Sequence, residues 1–243
     1  MRDRFAHRHR REPLERLVAA GRFAEALRSW MEGVVADRPP HARRAGAVAA
    51  ARLGAFQTGQ DLADAALRQF SLSADDRGRM RAYNVLGGIA FERGQLRTAE
   101  RCFRHTVALG QLLDDQRATA RGWNNLGSLE HVRGKPVPAM RLYEHAARVY
   151  DRLGDEAGCA QTHHNLGLVH RELGEHVQAE THVREAVDHA SRSNDQPLLA
   201  LALTGRAELA IARGDLPGAV NDLDLALRTA EDAGDSVGGA EAR

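Results

Sequence analysis

The chain has 243 residues, a length that in a globular protein means one or two domains. Only 5% are aromatic, so no core can rest on large rings, and 43% are hydrophobic, too many for a disordered chain. A formal net charge of +1 provides no overall field to recruit nucleic acid or an anionic membrane. Ala supplies 42 residues and Lys135 is the sole lysine. Ala, Leu, Arg and Glu favour helices, while Val, Ile and Thr are sparse, so the composition predicts an all-α chain.

Residues 1–11, Met-Arg-Asp-Arg-Phe-Ala-His-Arg-His-Arg-Arg, read as a basic flexible tail without the apolar stretch of a secretory signal. Residues 12–76 read as irregular helical hairpins. Gly21 to Ala26 marks one, and Gly54 with Gly59 through Leu67 marks a second, off-register by a residue or so. Pro39-Pro40 separates the two, and Ser73-Ala74-Asp75-Asp76 reads as a capping box.

From residue 77 to 236 the same features return every 40 residues. Gly94, Gly134, Gly174 and Gly214 form one column. Ala99, Ala139, Ala179 and Ala219 form another, and Asp115, Asp155, Asp195 and Asp235 a third. Leu86, Leu126 and Leu166 form a fourth, which Arg206 breaks. The Gly column predicts a stop for a first helix, A. The Ala column predicts close approach by a second helix, B, and the Asp column predicts the cap of the next helix A. In the second copy, A is expected over about 116–133 and B over about 136–153, with Pro136 in the first turn of B. Leu126, Leu129, Leu142 and Val149 are the expected packing residues. Asp235 predicts a further helix A, of which 237–243 read as the truncated start.

Trp123, Leu126-Gly127, Gly134, Ala139, Tyr143 and Ala146 resemble the tetratricopeptide repeat in its extended, 40-residue form. Tyr83, Leu86-Gly87, Gly94, Ala99 and Phe103 carry the pattern in the first copy, and Leu166-Gly167, Gly174, Ala179, Val183 and Ala186 in the third. The Asn-Asn-Leu-Gly and Leu-Gly-Asp signatures are similar to kinesin light chain and to bacterial peptide-sensing or signalling regulators. The resemblance implies a right-handed superhelical solenoid whose A helices line a concave face. It also implies a protein or peptide as partner.

Residues three, four, seven and ten apart share one side of a helix. Such a row takes in Arg81 and Asn84 in the first copy, Arg121, Asn124, Asn125, Ser128 and His131 in the second, and Gln161, His164, Asn165 and Arg171 in the third. These positions contain no acid. The resemblance places Asn125 and Asn165 on a column that contacts bound peptide. A side-chain amide offers both donor and acceptor to a backbone unit, and Arg81, Arg121 and Arg171 suit acidic residues or a C-terminal carboxylate. The family's carboxylate clamp also uses Lys, and Asn84 and Gln161 stand in those columns here. The bland alternative is that the amides bond neighbouring helices and the arginines are solvated.

No cofactor is expected. His163 and His170 are seven apart, as are His182 and His189, which is about 10 Å along a helix and too far for one ion. No His-Glu-x-x-His, Cys-x-x-Cys, phosphate loop or nucleophile turn occurs. Cys102 and Cys159 read as thiols of a reducing compartment, and the cytoplasm is the expected location. Neither catalysis nor nucleic-acid binding is indicated. The sequence therefore points to a non-enzymatic interaction module binding an extended segment in its groove, within bacterial signalling or regulation. The alternative is an assembly scaffold or self-associating fragment of a larger regulator. It would form a homo-oligomer through an uncapped C-terminal face bearing Leu216, Val220, Leu223 and Leu227.

Overall fold

The computed structural model describes residues 14–31 and 39–238. The expected basic tail, 1–11, and residues 239–243 of the expected extra helix lie outside them. Every regular element among the described residues is an α-helix. The chain divides into two units, 1–85 and 86–243, with the boundary inside one helix.

Among the described residues, the first unit opens with α1 (Leu14–Ala19) and α2 (Phe23–Met31), joined by Gly21 at φ +74°. Ala26, five residues on, is fully buried. Pro40 opens α3 (Pro40–Arg52) at its first position, where a missing N–H is harmless. Gly54, also at φ +74°, leads into α4 (Phe56–Leu72). Gly54 stands 40 residues before Gly94, so this hairpin keeps the register instead of slipping a residue. The sequence disguised it by placing Gly59 where later copies have Ala. The expected capping box is also differently built. Ser73 closes α4 with its hydroxyl on the Gln69 carbonyl, and Asp75 caps α5 (Asp76–Glu92) by accepting from the Gly78 N–H at 2.8 Å.

In the second unit the hairpins repeat with near-constant bounds. They are α6 (Leu96–Leu112), α7 (Gln116–Val132), α8 (Pro136–Arg152), α9 (Glu156–Glu172), α10 (His176–Ser193), α11 (Gln196–Ala212) and α12 (Leu216–Gly238). Asp115, Asp155 and Asp195 cap α7, α9 and α11 by accepting from the N–H three residues on. Gly134 takes φ +71° after α7, and the Lys135 N–H reaches the Glu130 carbonyl at 3.0 Å, closing the helix end. Asp235 departs from its column, because α12 runs through it to Gly238 as one 23-residue helix. No second cap opens there.

Packing follows the columns. Ala99, Ala139 and Ala179 are fully buried and Ala219 nearly so. Leu129 and Val149 are buried as expected, while Leu126 and Leu142 are half-buried. The Leu-Gly column has a further use. A Cβ on Gly87, Gly127 or Gly167 would fall 2.4 Å from Phe103, 2.6 Å from Tyr143 or 2.7 Å from Val183. Each side chain of helix B thus lies directly on the backbone of its own helix A. Arg206 replaces the leucine of the last copy without loss of order. Its guanidinium grips Asp222 on α12 through two hydrogen bonds, at 2.8 and 2.6 Å.

Candidate functional site

Two polar assemblies stand out in the second unit, one between successive A helices and one inside the α9–α10 hairpin.

Between A helices, Asn124 on α7 is buried, and its Oδ1 accepts from Thr162 at 3.2 Å and from the Asn165 amide at 3.1 Å, both on α9. Asn165 is only 9% exposed, so this amide pair is internal. Ser128 accepts from the buried Tyr143 hydroxyl at 3.2 Å. His131 meets Glu172 at 2.8 Å, again bridging α7 to α9. Arg171 bonds Glu208 of α11 at 2.5 Å. Glu172 and Glu208 therefore stand beside the row that looked acid-free. Glu172 escaped the sequence reading because it sits one position off the row, next to Arg171, and Glu208 because it stands in the last copy, 80 residues after Ser128, where the row was not followed. His164 is buried against Gly205, and burial pushes its pKa down.

The remaining expected residues lie nearer the surface. Arg121 is exposed, and its charge acts on the Tyr150 hydroxyl, whose pKa burial pushes up to about 12. Asn125 and Gln161 are half-buried on α7 and α9. Arg81 and Asn84 belong to the first unit, where Arg81 is exposed and Asn84 half-buried on α5.

Inside the α9–α10 hairpin, four imidazoles form a ladder. His189 stacks on His163 with ring centroids 5.6 Å apart, His163 lies 5.2 Å from His182, and His170 stacks on His182 at 5.0 Å. Glu156 holds His189 at 2.6 Å, and Glu175 holds His170 at 2.5 Å. Glu185 reaches both central rings, at 2.8 Å from His163 and 3.2 Å from His182. Burial is the main cause that lowers the His163 pKa to about 4, against the opposing charge of Glu185. Burial also lowers that of His182. The sequence reading compared these histidines along single helices, where they are seven apart. The hairpin instead brings them together across helices.

The tetratricopeptide repeat profile matches residues 78–152, 118–192 and 158–232. The chain belongs to the tetratricopeptide repeat family. No curated protein matches it in sequence. Among solved structures it is similar to BtubC (BKLC) from P. vanneervenii, with a TM-score of 0.64, 19% identity, and 91% of this chain and 92% of that one covered. It is similar to a Rap protein solved in complex with competence and sporulation factor, with a TM-score of 0.77, 16% identity and 91% of this chain covered. There it spans 64% of the other chain, under two thirds of its length. A third likeness is to the Rap conjugation gene regulator of plasmid pLS20 in complex with the Phr* peptide, with a TM-score of 0.68, 14% identity, and 92% and 73% covered. At these identities the likeness is one of fold: an all-α solenoid of tetratricopeptide-type hairpins. No described helix is long and apolar enough to cross a membrane.

Proposed function

We propose that this tetratricopeptide repeat chain is a non-enzymatic interaction module that holds an extended peptide or partner segment against its A helices, within bacterial signalling or regulation. The four regular repeats, 77–236, form the working array in this reading. The supporting observation is the amide-rich row that α7 and α9 bring side by side. In it Asn124 and Asn165 lock one helix to the next, and half-buried Asn125 and Gln161 lie beside them. The locked pair holds neighbouring helices in place, and Asn125, Gln161 and Ser128 then meet the partner's backbone. Exposed Arg121 favours acidic side chains or a terminal carboxylate, whereas Arg171 is engaged by Glu208. Rap proteins bound to a factor or a peptide provide the analogy for such use of the fold.

The test compares wild type with the double variant Asn125→Ala, Arg121→Ala. Both are used to capture partners from native lysate, with helicity and melting followed in parallel. The reading predicts a weakened partner set with the helical content retained. An unchanged partner set rules out this face.

A second reading rests on α12. Leu216, Val220, Leu223 and Leu227 are 42–60% exposed and spaced four, three and four apart, the seam of a two-helix coiled contact. A second copy of the chain is the occupant this seam suits. Leu223→Glu should then abolish concentration-dependent dimerisation in light scattering, and a wild type monomeric at high concentration excludes it.

A further inference from the structure

We infer that His163, His182 and Glu185 form a binding site for one divalent transition-metal ion of the zinc class, clipping α9 to α10.

The donor atoms converge. His163 Nδ1 and His182 Nδ1 are 3.0 Å apart, and Glu185 Oε2 lies 2.8 Å from the first and 3.2 Å from the second. Tetrahedral zinc with bonds near 2.0–2.1 Å separates its ligands by about 3.3 Å, so the triangle needs to open only by tenths of an ångström. An ion about 2 Å from all three atoms sits about 1 Å above their plane and leaves a fourth position for water. Two imidazoles and a carboxylate are ligands that suit zinc.

Ring protons alone cannot satisfy this triangle around an ionised carboxylate. If both rings carry hydrogen on Nδ1, two N–H groups face each other across 3.0 Å. If only one does, the other ring turns a lone pair toward the Glu185 oxygen. With Glu185 as a carboxylate, each placement of the ring protons leaves one unfavourable edge, and a single cation removes it. The surroundings favour a cation as well, since the charges of Asp151 and Glu144 reach His163 and His182 respectively. The outer rungs, His189 on Glu156 and His170 on Glu175, stack against the two ligand rings and hold them in place. The side chains of His163 and His182 retain 16% and 24% of their exposure, and Glu185 44%, so an ion can enter from solvent.

The test titrates full-length, chelator-treated protein with Zn²⁺ alone by calorimetry, and with Co²⁺ to read coordination from visible absorption. One ion per chain is expected, with tetrahedral-type cobalt bands and a raised melting temperature. His182→Gln and Glu185→Gln should each weaken binding at least about tenfold, since disturbing even an outer partner of a metal ligand costs 10–100-fold. His176→Gln, outside the ladder, should leave binding unchanged. Should His182→Gln fail to fold, Glu185→Gln decides, because its carboxylate is at the surface. No saturable one-to-one binding in wild type, or equal affinity in wild type and Glu185→Gln, overturns the assignment.

Discussion

The hypothetical Cβ of Gly127 falls 2.6 and 2.7 Å from two carbons of the Tyr143 ring, and 3.1 Å from a third. Ordinary contact begins near 3.4 Å, so Gly127→Ala forces the ring back by about 0.8 Å, or the helices apart. The ring has little room to retreat. Tyr143 is 1% exposed and packed among Ala139, Leu166 and Val169, with its hydroxyl on Ser128. Overpacking of this kind costs roughly 1–3 kcal/mol. Alanine returns about 1 kcal/mol through helix propensity. Gly88 isolates that second contribution: it lies inside α5, and a Cβ there meets nothing within 4 Å. Gly88→Ala should therefore raise the melting temperature by about 2–4 °C, as expected for about 1 kcal/mol in a chain of this size. Gly127→Ala should lie below it by roughly 1–3 kcal/mol, measured as the difference in urea midpoints followed by circular dichroism. If Gly127→Ala melts at or above Gly88→Ala, the ring-on-backbone account of the Leu-Gly column is wrong.

Three further expectations follow from buried groups. Asn165→Ala removes a donor from the buried Asn124 and should lower stability by about 1–3 kcal/mol, whereas His176→Gln, at an exposed position, should stay within about 0.5 kcal/mol of wild type; equal melting for the two would refute the internal role of the amide pair. Burial pushes the Tyr143 and Tyr150 hydroxyls up to about 12, while unfolded tyrosine ionises near 10. The unfolded chain then loses protons that the folded chain keeps, so stability should fall as pH rises from about 10 toward 12. Tyr143→Phe should soften that fall, and an unchanged alkaline limb in urea titrations would count against it. Burial also pushes the Cys159 thiol up to about 12, so labelling at about pH 8 with peptide mapping should modify it only in denaturant. Rapid labelling of native protein would contradict this.

The repeat was legible wherever one residue type served one backbone need. Gly94, Ala99 and Asp115 recur because a left-handed turn, a close approach and a helix cap each admit few side chains. Contacts across the hairpin were less visible, although they obey a simple rule. Gly127 meets Tyr143, Gly167 meets Val183 and Arg206 meets Asp222, each pair 16 apart. With that offset in hand, the charge at Arg206 finds its partner in the sequence. The histidine ladder follows the same geometry, for the pairs His163–His189 and His170–His182 are both centred on position 176. Periodicity along one helix cannot reveal a cluster made by folding that helix back on its partner. The Asn124–Asn165 bond was harder still. It depends on how far one hairpin is rotated against the next, a quantity that no single repeat encodes.

The two kinds of joint in the array differ in chemistry. Within hairpins, the left-handed residue is Gly at 21, 54, 94, 134, 174 and 214. Between hairpins, the same conformation is held by Ala74, Asp114, Gly154 and Asn194. Departing from Gly at such a position costs about 1–2 kcal/mol, and three of these four joints between hairpins, at Ala74, Asp114 and Asn194, already bear that cost. Divergence should therefore collect at the seams between units and spare the bends inside them. The seams are accordingly where a segment could be spliced in, or a unit removed, with least damage to the units on either side.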